Sequence, residues 1–316
     1  MYGKENYRKV KDEIEARRLD AIARADERNA HLRDECDEIR EIDRELVGTG
    51  LLLFKTACGG GDIAPIKERN RALTKRRTAL LVSLGYPEDY TEVKYTCEKC
   101  SDSGFVDGHM CSCFREMLLK ENIRSSGIGN LIEKQSFENF DTSRFTDEKT
   151  REDMERAVRE ARKFVEHLGE ERNYTNLLLI GKTGTGKTHI STAIAKAAIE
   201  RGHEVLYDSV QNVVSAFEYD RFKSGYGAYE PRGDKYMECD LLILDDLGTE
   251  FVNQFTVSCL YNLLNTRINR GLATVISTNL SPEELSSKYE ERIYSRIVGC
   301  DSKILRFLGG DKRLAR

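Results

Sequence analysis

Gly181-Lys182-Thr183-Gly184-Thr185-Gly186-Lys187-Thr188 follows the spacing G-x-x-x-x-G-K-T. Glycines at these positions let the backbone curl so that successive N–H groups point at a β-phosphate. A helix starting there adds its partial positive charge. Lys187 is placed to neutralise β- and γ-phosphates, and the Thr188 hydroxyl to ligate Mg²⁺. His189, next in the first helical turn, completes the set expected to line the nucleotide. Fifty-eight residues beyond Lys187 stands Asp245, in Asp240-Leu-Leu-Ile-Leu-Asp245-Asp246, an apolar run ending in two carboxylates. Asp245 is expected to hold Mg²⁺, directly or through water, and Asp246 to polarise the attacking water as a general base. The chemistry so specified is binding and hydrolysis of ATP.

Three further groups have spacing that could do chemistry. Ala273-Thr-Val-Ile-Ser-Thr278-Asn279 ends in a polar pair; Asn279 could touch the γ-phosphate or its water, the ordinary alternative being a strand-end turn. Arg292 and Arg296 stand four apart and share a helix face. Either could act as an arginine finger on a neighbouring subunit's nucleotide, or belong to a solvated face with an intrachain ion pair. Cys97-x-x-Cys100 and Cys111-x-Cys113 flank a turn containing Gly104 and Gly108. Four thiolates so spaced suit tetrahedral zinc, a closed structural site with no position left for water. His109 could replace one thiolate. A redox Cys-x-x-Cys is the rival reading, but it lacks a βαβ setting.

Elements must position these groups. Asn176-Leu-Leu-Leu-Ile180 reads as a strand buried on both faces, entering the loop that opens an Ala-rich helix to Arg201. Strands at Glu204–Asp208, Asp240–Asp246, Ala273–Asn279 and Lys303–Phe307 complete a five-stranded parallel sheet. An amphipathic helix over residues 150–168 precedes it, with Ala157, Ala161, Phe164, Val165 and Leu168 inward. Among the first 45 residues 25 are charged, with apolar positions three or four apart such as Val10, Ile14, Ile39 and Ile42. That predicts a helix ended by Val47-Gly-Thr-Gly50, followed by a second helix from about Ala64 to Leu84. The narrow stripe favours a helical pair over a long coiled coil, and a partner surface over a mere scaffold. Phe137, Phe140 and Phe145 punctuate a polar linker. The expected division is 1–92 helical, 93–130 zinc-binding with a connecting helix, and 131–316 nucleotide-binding.

Composition sets outer limits. With 50 Lys+Arg against 54 Asp+Glu, no global basic field draws the chain to nucleic acid, so any such contact must be local. A local candidate is Ala216–Tyr236, where Phe217, Tyr219, Phe222, Tyr226 and Tyr229 alternate with Arg221, Lys223, Arg232 and Lys235. Stacking rings beside cations suit single-stranded nucleic acid; an ordinary exposed loop is the alternative. No apolar run approaches the ~20 residues that span a bilayer, and the opening residues are dense in charge. The expectation is a cytoplasmic protein with no membrane partner. Of nine cysteines, the five outside the cluster read as incidental or buried thiols.

Gly181 to Thr188, Asp245-Asp246, Thr278-Asn279 and Glu291-Arg-Ile-x-x-Arg-Ile together resemble the AAA+ ATPases of DnaC/DnaI-type bacterial helicase loaders, over about residues 135–316. The transposition helper IstB shares that core. Ser136-Phe-Glu-Asn-Phe140-Asp resembles the segment this family places before its nucleotide pocket, and the cysteine cluster resembles the zinc-bearing amino-terminal domain of DnaI-like loaders. The resemblance implies a lidless AAA+ domain, self-association around Arg292 or Arg296, a grip on the DnaB-type hexameric helicase, and delivery of that ring to single-stranded DNA. The alternatives it leaves are an IstB-like transposition or phage-replication ATPase, and an adaptor with negligible hydrolysis. Two departures stand out. Asp246 occupies the place of the usual glutamate and is one methylene shorter, which implies slow, partner-stimulated turnover suited to a switch. Only nine residues follow Phe307, too few for the usual helical lid, as in DnaC-type loaders.

Overall fold

The structure, a computed structural model, describes residues 3–59, 61–129, 131–170, 174–223, 231–299 and 301–309. Tyr226 and Tyr229, singled out above, lie outside them, as does Cys300, one of the five cysteines beyond the cluster. The chain forms two compact units, Lys11–Arg115 and Glu116–Arg316 with Met1–Val10. The three segments expected from composition divide differently: the long helices and the cysteines share one unit.

The Lys11–Arg115 unit holds most of α1 (Lys4–Glu35), then α2 (Asp37–Cys58) and α3 (Ala64–Ser83). One apolar cluster in it is Leu32, Ile39 and Leu81, with Leu80, Tyr86 and Tyr90 against it. Antiparallel pairing of α2 and α3 is fixed by Glu38–Arg76 at one end and Glu45–Arg69 at the other. Arg77 ties three segments together, donating to Asp43 Oδ1 at 2.7 Å, Thr91 Oγ1 at 3.0 Å and Asn29 Oδ1 at 2.8 Å. Burial pushes the Asp43 carboxyl up, but hydrogen bonds and charge from Arg77 and Arg33 outweigh it and hold the group below its usual range.

The predicted stop at Val47-Gly-Thr-Gly50 is not there, because α2 continues to Cys58. Two mid-helix glycines cost about 1 kcal/mol each relative to alanine. Thr49, buried between them, offsets this: its hydroxyl lies 3.0 Å from the Glu45 carbonyl and also contacts Asn70 of α3. The chain then passes through a minimal antiparallel hairpin, β1 (Phe105–Val106) and β2 (His109–Met110), into α4 (Ser112–Ser125).

The second unit is a doubly covered parallel sheet. After α5 (Leu131–Lys134) and α6 (Glu148–Glu166) come β3 (Asn176–Gly181), α7 (Lys187–Glu200), β4 (Val205–Ser209) and α8 (Val210–Lys223). The rest is α9 (Asp234–Glu238), β5 (Leu241–Leu247), α10 (Gln254–Asn269), β6 (Ala273–Thr278), α11 (Pro282–Lys288), α12 (Glu291–Val298) and β7 (Ser302–Phe307). The strand order is β4-β5-β6-β3-β7, all parallel. Successive strand residues enter opposite cores. Leu177, Leu179, Leu241 and Ile243 pack with α6 and α7. Leu178, Leu242 and Leu244 pack with α8, α10 and α12. That is why these strands read as unbroken apolar runs. Phe137 and Phe145 join the first core, as Phe140 does in part. Among the described residues no helix follows β7, and no helix is long and apolar enough to cross a membrane.

Candidate nucleotide site and cysteine cluster

The sheet order places β3 and β5 on either side of β6, so their carboxyl ends meet at one edge. There β3 passes into the glycine loop. Gly181 lies so close to β7 that an added Cβ would sit 2.3 Å from the Phe307 carbonyl oxygen. Gly184 and Gly186 have φ of +76° and +103°, the left-handed region that glycine enters without penalty. At Gly186 a Cβ would also meet the Phe140 ring at 2.7 Å. The loop is therefore a narrow cradle that side chains would fill. Thr185 closes it from within, its hydroxyl donating to the Lys182 carbonyl at 2.8 Å. Lys187 is 7% exposed and its ammonium lies over the loop, donating to the Gly181 and Lys182 carbonyls at 2.6 and 3.0 Å. Thr188 and His189 follow in the first turn of α7, which contains no acidic residue to compete with an anion. Lys182 and Thr183 are exposed at the loop's crest.

The Ser136–Asp141 segment docks on this loop. His189 Nε2 donates to the Ser136 carbonyl at 2.8 Å, and the Phe140 ring stands edge-on to the His189 imidazole at 5.2 Å. Beside them opens a cavity of about 560 Å³, lined among others by Asn139, Phe140, Arg144, Gly184 and Gly186.

Asp245 and Asp246 occupy an irregularity. Leu244 pairs with Ile276 and Leu247 with Thr278, so the two aspartates stand opposite Ser277 alone. This is a β-bulge, a device that re-aims side chains near active sites. Asp246 takes φ +57°, donates its amide to Ser277 Oγ at 2.9 Å and exposes its side chain. Asp245 turns inward. Its Oδ2 accepts from the Tyr207 hydroxyl at 2.7 Å and its Oδ1 from the Ser277 hydroxyl. Burial, then the charge of Asp245, drive the Tyr207 phenol far above its ordinary pKa, so it stays a donor. Asn279 is exposed just past β6, at the same edge as the glycine loop and the aspartates. Its neighbour Thr278 is engaged in the fold, donating to the Leu247 carbonyl at 2.7 Å.

Arg292 and Arg296 do share a face of α12, both against the Tyr261 ring at 5.6 and 5.7 Å. Arg292 is exposed and pairs with Glu290, while Arg296 is half-buried and donates to Asn265 Oδ1 at 3.1 Å. Of the aromatic and basic residues after Ala216, Tyr236 belongs to the core with Phe217 packed on it. Arg232 stacks on Tyr219 at 3.8 Å and Arg221 on Phe255 at 5.3 Å. Among the described residues of this segment, Phe222 is a ring that faces solvent, at 70% exposed.

In the other unit the four sulfurs of Cys97, Cys100, Cys111 and Cys113 lie within 4.8 Å of one another. The 97–111 and 100–113 pairs are 3.8 and 3.5 Å apart. A tetrahedron of thiolates at the usual Zn–S length has edges of about 3.8 Å, so the set fits zinc. Left-handed backbone at Ser101, Asp102, Gly104 and Gly108 turns the chain around the sulfurs. At Gly104 a Cβ would strike the Phe114 ring at 2.6 Å. Asp102, wholly buried, accepts the Thr96 and Cys97 amides at 2.8 and 3.0 Å and the Arg17 guanidinium at 2.7 Å. The Cys111 thiol is lowered to about 7, chiefly by the Cys113 amide, which favours the thiolate. His109 is exposed and is not part of this cluster.

Sequence reasoning passed over Tyr207, Ser277, Asp102 and two further buried polar groups. Glu250 accepts from the Gly248 amide at 2.9 Å and from the Tyr289 hydroxyl. Arg267, fully buried, donates to the Tyr236, Cys239 and Ala273 carbonyls and to Thr274 Oγ1.

The model of the family described as IstB-like ATP binding protein matches residues 122–297. The replicative helicase loader DnaC of Escherichia coli (strain K12) is 27% identical over 183 residues, 58% of this chain and 71% of DnaC. YdaV of the same strain, a protein described as uncharacterized, is 28% identical over 186 residues, 58% of this chain and 70% of YdaV. A crystal structure of the DnaC helicase loader aligns over 57% of this chain and 100% of its own, at 20% identity and a TM-score of 0.48. The family match takes in the glycine loop, both aspartates, Asn279 and the two arginines of α12, and the chain belongs to the IstB-like ATP binding protein family.

Proposed function

We propose that this protein is an ATP-dependent loader of a DnaB-type hexameric helicase, acting when the helicase is placed on single-stranded DNA for replication. The observation that carries this reading is the similarity to DnaC, 27% identical over 183 residues and 71% of DnaC's length. The nucleotide's phosphates would sit in the cradle of Gly181–Thr188, against Lys187 and the amino end of α7. The base would enter the cavity between Phe140 and the loop. Thr188 and Asp245 would hold Mg²⁺, which supplies charge neutralisation for the phosphates. Asp246 would orient water, with Asn279 beside it. Hydrolysis is slow and stimulated by partners in this reading, as befits a switch. Arg292 and Arg296 serve contacts between subunits: Arg292 is the freer of the two to swing, since its ion pair with Glu290 is exposed and such pairs hold by less than about 1 kcal/mol. Zinc on the four cysteines would add its binding free energy to the folding of this unit. Helicase binding is assigned to that unit, and single-stranded DNA to the neighbourhood of Phe222.

Light scattering of the full-length protein mixed with the replicative helicase of the same organism, with and without ATP and Mg²⁺, tests the reading. A stable, nucleotide-sensitive complex is expected. Absence of any complex under all nucleotide conditions refutes the loader assignment while leaving the nucleotide site standing.

A further inference from the structure

Asp245 is held from both sides. β5 runs between β4 and β6, and each neighbour contributes one hydroxyl to one carboxylate oxygen. Tyr207 reaches from β4 and Ser277 from β6. Ser277 does a second thing with the same oxygen, accepting the Asp246 amide at 2.9 Å. Tyr207 is itself fixed. Its amide donates to the Ser126 carbonyl at 2.6 Å, its phenol oxygen lies 3.1 Å from Ser191 Oγ of α7, and Gly127 abuts its carbonyl so closely that a Cβ would stand 2.5 Å away. A carboxylate has about four acceptor sites. With one hydroxyl on each oxygen, its plane is set and the remaining lone pairs keep one direction.

We propose that Tyr207 and Ser277 are positioning residues for the magnesium carboxylate, a clamp of two hydroxyls that orients Asp245 and, through Ser277, holds the bulge carrying Asp246. Neither touches nucleotide; both act through the aspartates. The inference rests on the nucleotide-site reading above. It adds a specific consequence: the clamp sets how tightly Mg²⁺ binds and leaves the affinity for nucleotide without metal alone. Partners of this kind typically change metal affinity 10–100-fold when removed.

The test titrates MgCl₂ into the full-length protein with a fluorescent N-methylanthraniloyl-ATP, following nucleotide binding and, separately, phosphate release. Tyr207→Phe, which loses only the hydroxyl, is expected to raise the Mg²⁺ midpoint about tenfold. Ser277→Ala is expected to raise it at least as much, because the Asp246 amide is released as well. Nucleotide affinity in EDTA should stay within about twofold of wild type. Should Ser277→Ala fail to fold, Tyr207→Phe alone decides. A Mg²⁺ midpoint unchanged in Tyr207→Phe overturns the clamp. So does a loss of nucleotide affinity in EDTA equal to that in Mg²⁺, which marks a merely structural role. Wild-type binding indifferent to Mg²⁺ would instead bring down the nucleotide-site reading itself, and the clamp with it.

Discussion

Replacing Asp246 by glycine and by alanine separates backbone strain from chemistry. The residue sits at φ +57° in the bulge, donating its amide to Ser277 and exposing its side chain. A non-glycine residue in that region carries about 1–2 kcal/mol of strain. Aspartate is among the few that visit it, because its short side chain finds local hydrogen bonds. Alanine keeps the strain and loses the side chain, so Asp246→Ala should be less stable than wild type. Asp246→Gly removes the strain but adds chain entropy to the unfolded state, a loss of about 0.4–1 kcal/mol. The glycine variant should therefore exceed the alanine variant by roughly 0.5–1 kcal/mol, or about 1–4 °C in Tm for a unit of this size. Neither variant has a carboxylate to orient water, and loss of a general base costs about 10²–10⁴ in turnover. Scanning calorimetry and a phosphate-release assay on both variants check the two halves independently. Equal Tm for the glycine and alanine variants would show that the backbone at 246 is not strained. Turnover retained in either would remove Asp246 from the chemistry.

Three other outcomes are expected. Lys187→Ala should abolish ATP binding in nucleotide titration, since its ammonium lies over the glycine loop; unchanged affinity would refute its role. Asp102→Asn should weaken zinc retention about tenfold in competition with a chelator, because the buried carboxylate orders the Cys97 amide and pairs with Arg17; metal analysis finding no zinc in wild type would end the zinc reading. Arg267→Met leaves three carbonyls and the Thr274 hydroxyl without their donor, at about 1–3 kcal/mol each; a Tm within 2–3 °C of wild type, about 1 kcal/mol for a unit this large, would contradict that cost.

How far the fold was legible depended on where the information lay. Leu177–Leu179 and Leu241–Leu244 were readable as strands because both faces are covered, which turns the residue pattern into an uninterrupted apolar run. The glycine loop was readable because its path needs left-handed backbone at Gly184 and Gly186 and a close approach at Gly181, which glycine spacing alone announces. The run of α2 through Gly48 and Gly50 was not readable. What carries the helix past them is Thr49 bonding back to Glu45 and across to Asn70, a contact made only once α3 has folded alongside. Likewise the aromatic and basic residues after Ala216 matched a stacking surface in composition, yet Tyr236 is core and Tyr219 lies under Arg232. Alternation of rings and cations does not distinguish stacking on a base from stacking within the chain. Tyr207 and Ser277 were invisible for another reason. They stand 38 and 32 residues from Asp245 and meet it only through the register of three neighbouring strands.

Aspartate at 246 was first a departure to explain, a side chain one methylene short of the usual glutamate. The bulge supplies the missing physical term. Two residues of β5 face one of β6, so position 246 is displaced from the ladder and its backbone is left-handed. Glutamate has no short-range hydrogen bond to repay that conformation and would carry the strain of alanine. The length of the side chain and the path of the backbone are therefore coupled: an acid that fits this backbone is short, and a short acid is delivered by the bulge rather than by its own reach. Judging hydrolysis by the missing methylene treats the strand as regular, which β5 is not. In the proposed reaction the bulge would set the reach of the Asp246 carboxylate to its water, and the bulge is held by Ser277, whose hydroxyl takes the Asp246 amide while it grips Asp245.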